Sequence, residues 1–119
     1  MLFVNLSNHH SSSWGKNQVV EAEKYGGIVD LDFPCIDPLA TSHEIGLLAV
    51  DYMDKIVELL KGDTGVIHIM GESNFCFALI TLLIKEGIDC LASTTHRNVI
   101  NLPSGEKVVQ FEFCQFRKY

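Results

Sequence analysis

The sequence predicts an α/β domain: a Rossmann-like open sheet of mostly parallel strands, flanked by helices and ending in a β-hairpin. Short apolar runs alternate with helical patterns along the chain, which is typical of parallel strands joined by helical crossovers. The apolar runs at residues 2–6 and 65–70 lack a charged face, as expected for central strands. At 119 residues the chain has the length of a single domain. We therefore expect one domain over residues 1–119, with strand order about 2-1-3-4.

The first half of the chain predicts two strands and two helices. After the strand at residues 2–6, residues 14–25 follow helical spacing, and Gly26 and Gly27 end that helix. Residues 28–33 alternate apolar side chains with Asp30 and Asp32. Charged side chains on one face predict an edge strand, which Pro34 ends. Residues 41–44 form a capping box that begins an amphipathic helix over residues 45–60.

The second half predicts a buried layer followed by the hairpin. Residues 65–70 form the third strand, and residues 75–84 form a helix that is apolar almost all round. Such a helix is mostly buried, against the sheet and against a second subunit. Residues 88–92 form a fourth strand. Residues 98–102 and 107–116 then pair about a glycine-containing turn.

Composition excludes several classes of protein. The net charge of -6 argues against coating duplex DNA or a membrane surface, but it leaves room for a local anion pocket. The four cysteines are far apart in the sequence. This spacing argues against a disulfide framework or a zinc site and favours the reducing cytoplasm. No apolar stretch approaches the ~20 residues of a membrane span.

Ligands of such sheets bind beyond the carboxyl ends of the strands, and this rule selects three loops. The first loop is a run of hydroxyl, amide and imidazole side chains that enters a helix N-terminus, where anions are favoured. The alternative is a plain polar loop with Ser13 as helix cap. The candidate binding residues of this loop are Ser7, Asn8, His9, His10 and Ser11.

The third-strand loop contributes Gly71, Glu72, Ser73 and Asn74. Gly71 permits close backbone approach, and Ser73 or Asn74 can bind a phosphate or ribose. A helix cap is the favoured role for Ser73. Glu72 is either a base or an acidic first-turn residue.

The fourth-strand loop contributes Thr94, Thr95, His96 and Arg97. Arg97 lies beside His96 and several hydroxyls, a composition suited to phosphate. The alternative is a surface arginine paired with Asp89 or Glu86. His68, within a core strand, is interpreted as a satisfied core histidine.

Dinucleotide, nucleoside triphosphate and metal sites lack their usual signals. The chain has no Gly-x-Gly-x-x-Gly and no Walker A sequence. No two histidines have the i,i+4 spacing of a zinc protease. A flavodoxin-type carrier is also disfavoured, because aromatic residues are sparse in the three loops. No cofactor is therefore expected.

Four segments resemble small CRISPR-associated accessory proteins of the CARF-like, Rossmann-like type, some of which are ring nucleases. These segments are Val-Asn-Leu-Ser-Asn-His-His-Ser at 4–11, Met-Gly-Glu-Ser-Asn-Phe-Cys-Phe-Ala-Leu at 70–79, Ser-Thr-Thr-His-Arg-Asn-Val at 93–99 and Phe-Glu-Phe-Cys-Gln-Phe-Arg at 111–117. Such proteins bind cyclic oligoadenylate second messengers of type III CRISPR antiviral signalling, and several cleave them without metal.

The resemblance implies a homodimer that binds a symmetric ring at the strand carboxyl ends. It implies His9 or His10 as acid or base, Arg97 as charge stabiliser, and Asn8, Ser11 and Ser73 as orienting donors. The buried helix at residues 75–84 and the phenylalanines of the hairpin would supply the dimer surface. Two alternatives stay open: a non-catalytic module that binds or sequesters the nucleotide, and a small structural or partner-binding subunit.

Overall fold

A computed structural model describes residues 1–119 and has a mixed α/β fold. A five-stranded sheet carries helices on both faces, and a single 3₁₀ turn, Ser11–Ser13, follows the first strand. The elements in chain order are β1 (Leu2–Ser7), α1 (Lys16–Glu23), β2 (Gly27–Asp30), α2 (Ser42–Leu60), β3 (Gly65–Met70), α3 (Ser73–Lys85), β4 (Asp89–Asn101) and β5 (Lys107–Lys118).

The sheet order is β2-β1-β3-β4-β5, with four parallel strands and an antiparallel β5. As predicted, β1 lies in the interior. The predicted C-terminal hairpin is present, but the short fourth strand and the loop predicted before it are wrong. Instead β4 continues to Asn101 and is itself one strand of the hairpin, so β5 extends the sheet. Threonines and β-branched residues in this stretch suit an extended strand.

The two faces of the sheet carry different layers. The face under α2 and α3 holds the main core, which includes Val4, Leu6, Ile67 and Ile69. The opposite face, under α1, holds a smaller cluster around Phe3, to which the C-terminal Phe116 contributes. The capping box predicted at Thr41 and Glu44 is confirmed at the start of α2. No helix is long and apolar enough to cross a bilayer.

A long arm projects from this body. β3 pairs only with residues 89–91 of β4, so the rest of β4 and most of β5 continue past the end of β3 as a two-stranded ribbon. We call residues 95–112 the arm, and every one of its side chains is exposed. The radius of gyration is 16.1 Å, against about 13–14 Å for a compact domain of this length. The arm therefore rises above the sheet edge at which ligands are expected.

Candidate functional site

A row of three polar side chains crosses the sheet under α1. Asn5 in β1 is paired in register with Asp30 in β2 and with His68 in β3. Side chains of residues paired in register point to the same face of a sheet. Asp30, Asn5 and His68 therefore lie side by side, and we call them the polar row. Asn5 and His68 are each only 2% exposed.

The hydrogen bonds of the polar row assign the proton on His68. The Asn5 amide nitrogen donates to Asp30 Oδ1 at 2.8 Å and to the His9 carbonyl at 2.9 Å. The Asn5 oxygen therefore faces His68, whose Nδ1 lies 2.9 Å away. Because that oxygen only accepts, Nδ1 carries the proton and Nε2 keeps a free lone pair. Nε2 is buried and has no partner, so the interpretation of His68 as a satisfied core histidine is wrong for this atom.

Burial lowers the pKa of His68 to about 4. The ring packs against three aromatic side chains, with centroids 5.9 Å from Phe3, 5.5 Å from Trp14 and 5.3 Å from Phe116. In this apolar setting the charged form is disfavoured. At neutral pH, His68 therefore presents an acceptor at Nε2.

This shift predicts a pH-dependent stability. The unfolded chain protonates His68 near pH 6.5 and the folded chain only near pH 4, so the unfolded state binds more protons between these values. We expect the free energy of unfolding, measured in urea, to fall by about 3 kcal/mol as pH drops through that window. The His68→Leu variant should lose this decline, and the exposed-site control His43→Gln should keep it. An equal decline in His68→Leu would contradict the assignment.

Asp30 organises the loop after β1. Its carboxylate accepts from the Ser11 backbone nitrogen at 2.9 Å, from Ser11 Oγ at 2.6 Å and from His10 Nε2 at 3.2 Å. Burial opposes ionisation, but hydrogen bonds from Ser11 and Asn5 and the charge of His10 outweigh it and lower the pKa of Asp30. The prediction that this strand lies at an edge is confirmed, but its Asp30 carboxylate binds Asn5, Ser11 and His10.

A cavity of about 840 Å³ opens at the carboxyl ends of β1 and β3, between the start of α1 and the foot of the arm. We call it the carboxyl-edge cavity. His68 contributes to its lining, as do the aromatic side chains Trp14, Phe111 and Phe113. Its polar lining comprises Ser7, Asn8, His9, Ser13, Lys16, Asn17, Gln18, Ser93, Thr95 and Glu112.

The start of α1 borders this cavity with unsatisfied backbone donors. Its N-cap is Gly15, which provides no side-chain hydrogen bond, and its first turn has no acidic residue. Lys16, the first residue of the helix, lines the cavity. Free N–H groups and a lysine at a helix start favour an anion. The alternative in which Ser13 caps this helix is wrong, because the N-cap is Gly15 and the Ser13 hydroxyl donates to the His10 carbonyl at 2.7 Å.

The predicted site residues therefore separate into two groups. Ser7, Asn8, His9, Gly71 and Thr95 line the carboxyl-edge cavity. The others lie outside its lining: His10, Ser11, Glu72, Ser73, Asn74, Thr94, His96 and Arg97. His10 and Ser11 are bound to Asp30, as described above. His10 Nδ1 also accepts from the Ser12 backbone at 3.1 Å, so both ring nitrogens have partners.

The side chains of the loop before α3 stabilise the start of that helix. The Glu72 carboxylate accepts from the backbone nitrogens of Asn74 at 3.0 Å and Phe75 at 2.7 Å. Glu72 is therefore the cap of α3, and the expectation that Ser73 has this role is wrong. Ser73 lines a separate apolar groove along α3. A Cβ at Gly71 would overlap the ring of Phe33, so any other residue there would displace that ring.

The polar residues of the predicted fourth loop lie in β4. The Thr94 hydroxyl donates to the Gln115 carbonyl at 3.3 Å, and His96 and Arg97 are exposed on the arm. The alternative pairing of Arg97 with Asp89 is also absent, since Asp89 pairs with Lys118 at 3.2 Å. Lys16, rather than Arg97, is the cation in the cavity lining.

Comparison with known proteins gives one family assignment. A family model described as "Uncharacterized protein MJ1673 family" matches residues 1–117. The chain belongs to the MJ1673 family. No curated protein and no solved structure matches it.

In this MJ1673 family member no side-chain cluster could hold a metal ion, and the two buried cysteines are poor nucleophiles. No three His, Cys, Asp or Glu side chains are grouped to hold a metal ion. All four cysteines are free. Burial, with the nearby charge of Glu72, raises the pKa of Cys76 to about 11. Burial and Asp89 raise that of Cys90 to about 12. Both buried thiols stay protonated at neutral pH and are unreactive.

Sequence reasoning missed the polar row, Trp14 and Lys16. A signal for the row was present, because each member stands between two aliphatic residues: Val4-Asn5-Leu6, Val29-Asp30-Leu31 and Ile67-His68-Ile69. A polar residue repeated in this way in three predicted strands of one sheet indicates a shared buried network.

Proposed function

We propose that the carboxyl-edge cavity binds a nucleotide and that this nucleotide is a cyclic oligoadenylate. The observation that carries the proposal is His68, which lines the cavity and whose buried Nε2 has no hydrogen-bond partner, beside aromatic side chains and an anion-favouring helix start. Trp14, Phe111 and Phe113 suit the stacking of bases. Lys16 and the first turn of α1 suit a phosphate.

Two further features favour the cyclic ligand. The sequence resembles CARF-like accessory proteins of type III CRISPR antiviral signalling, whose ligands are rings of adenylates. The cavity lies where β1 is flanked by β2 and β3, the switch point of a Rossmann-like sheet, and nucleotides bind at that point in such folds. Both features support a CARF-like identity for the domain.

Cleavage of the ring needs only groups that this cavity offers. The ribose 2′-oxygen attacks the adjacent phosphorus, the bond from phosphorus to the 5′-oxygen breaks, and a 2′,3′-cyclic phosphate and a 5′-hydroxyl result. His68 Nε2 accepts the 2′-hydroxyl proton, and His9 at the rim donates a proton to the leaving oxygen. Lys16 stabilises the added negative charge on the phosphorane. His9, rather than His10, has this role because His10 is bound to Asp30.

A non-catalytic binding module is the second candidate. The observation that favours it is the pKa of His68, about 4, which makes Nε2 a weak base. In this version Nε2 accepts a hydrogen bond from a ligand N–H or O–H group and takes no proton. The two candidates share the cavity and differ only in turnover.

Titration with labelled cyclic tetra-adenylate tests the site. We expect Lys16→Ala to weaken binding by roughly 10- to 100-fold, as for the loss of a charge-assisted contact. Lys24→Ala is the matched control, because Lys24 follows the other end of α1 and pairs with Glu21; its affinity should equal that of the wild type. Arg97→Ala should also leave affinity unchanged. No binding by the wild type, or loss of binding in Arg97→Ala alone, would overturn the proposal.

A further inference from the structure

The arm exposes apolar side chains that its own body does not cover. Its side chains are between 37% and 68% exposed at six apolar positions: Val99, Ile100, Leu102, Val108, Val109 and Phe111. Val99 stands opposite Val109 and Ile100 opposite Val108. Because neighbouring pairs along a ribbon point to opposite faces, both faces of the arm are apolar. A two-stranded ribbon on its own is marginally stable in water.

The arm also has two free edges. β4 has no partner on its β3 side beyond Leu91, and the outer edge of β5 has no partner strand at all. Long, exposed edges with apolar side chains invite pairing with another chain. An edge strand and its copy can pair antiparallel about a two-fold axis, so the same surface serves both subunits.

Charge favours a second copy of this chain as the partner. The arm carries Arg97 and Lys107 against Glu106 and Glu112, a net charge of zero. The whole chain carries -6, so all of this excess lies in the remaining residues. Two identical acidic bodies repel each other least where they meet through a neutral surface.

We propose that the arm is the dimerisation element of this protein and that it packs on the arm of a second copy. Its 18 exposed residues approach the ~20–30 residues per side of a standard interface. Phe111 and Glu112 belong to the arm and also line the carboxyl-edge cavity. In antiparallel pairing the tip of the partner's arm lies near the foot of this arm and therefore borders the mouth of each cavity, whatever ligand the cavity holds.

Light scattering of the full chain at micromolar concentration tests the arm. We expect the wild type to have the mass of a dimer. The double variant Val99→Glu, Val109→Glu puts four like charges on one face of the joined arms and should raise the dimer dissociation constant at least ~100-fold. The matched control is Phe77→Glu, at an apolar side chain 75% exposed on α3 beside its groove. This control should remain a dimer.

A second variant removes most of the arm, so that the test does not depend on how the arm folds with two added glutamates. Replacing residues 98–110 by Asn-Gly joins the facing pair Arg97 and Phe111 through a two-residue hairpin turn. This chain should be a monomer with wild-type near-ultraviolet circular dichroism. A monomeric wild type, or dimers in both arm variants, would overturn the proposal. Ring binding is measured separately, by titration. A protein that does not bind the ring is therefore distinguishable from one that does not form a dimer.

Discussion

The His68→Gln variant is expected to cleave cyclic tetra-adenylate roughly 10²–10⁴ times more slowly than the wild type, with binding changed less than about fivefold. Glutamine is similar in length and can still donate to Asn5, but it lacks the basic lone pair at the position of Nε2. Single-turnover cleavage and titration of the same labelled ring separate the two effects.

The matched control is His96→Gln, because His96 is an exposed histidine outside the cavity lining. Its cleavage rate should equal that of the wild type. Wild-type turnover in His68→Gln would show that His68 does not take the proton. If the wild type binds the ring without cleaving it, the protein is a binding module, and His68→Leu should then weaken affinity.

Replacing Asp30 with alanine is expected to lower the free energy of unfolding by about 2–4 kcal/mol at neutral pH. The variant leaves Asn5, Ser11 and His10 without the carboxylate that accepts from each of them. The Asn5 amide is buried, and a buried donor that loses its partner is costly. Because these bonds hold the loop after β1, ring affinity should fall as well. Urea denaturation and titration measure the two effects.

Asp32→Ala is the control for this substitution. Asp32 is exposed, and only its backbone carbonyl has a partner, the Tyr52 hydroxyl at 3.4 Å. Its removal should change stability by less than about 0.5 kcal/mol. Equal losses in the two variants would show that general charge, rather than the polar row, is responsible.

The sequence predicts the interior of this fold well and its arm poorly. The interior positions of β1 and β3 follow from runs without a charged face, and the capping box marks the start of α2. Residues 93–98 look like a loop because they are polar. They form a strand that is mostly exposed, where no buried face requires the apolar alternation by which strands are found.

The candidate site is predictable only in part, and for a similar reason. The topological rule finds the edge of the sheet and, with it, Ser7, Asn8, His9 and Thr95. It does not find the polar row: the aliphatic neighbours of Asn5, Asp30 and His68 mark each as a buried polar residue, but one sequence does not show that these three become neighbours. The offset between β1, β2 and β3 depends on crossovers through α1 and α2, and a shift of one residue would separate Asn5 from His68.

The polar row has a consequence for folding as well as for ligands. β1 and β3 are buried on both faces, so apolar burial alone distinguishes weakly between correct and slipped strand pairings. A slip of one residue would turn Asn5 toward the α2–α3 layer without a partner, and a slip of two would separate it from His68. Buried polar groups without partners are penalised in every misaligned pairing. The same three side chains therefore select the native alignment of the strands, and any variant designed to probe their chemistry also weakens that selection.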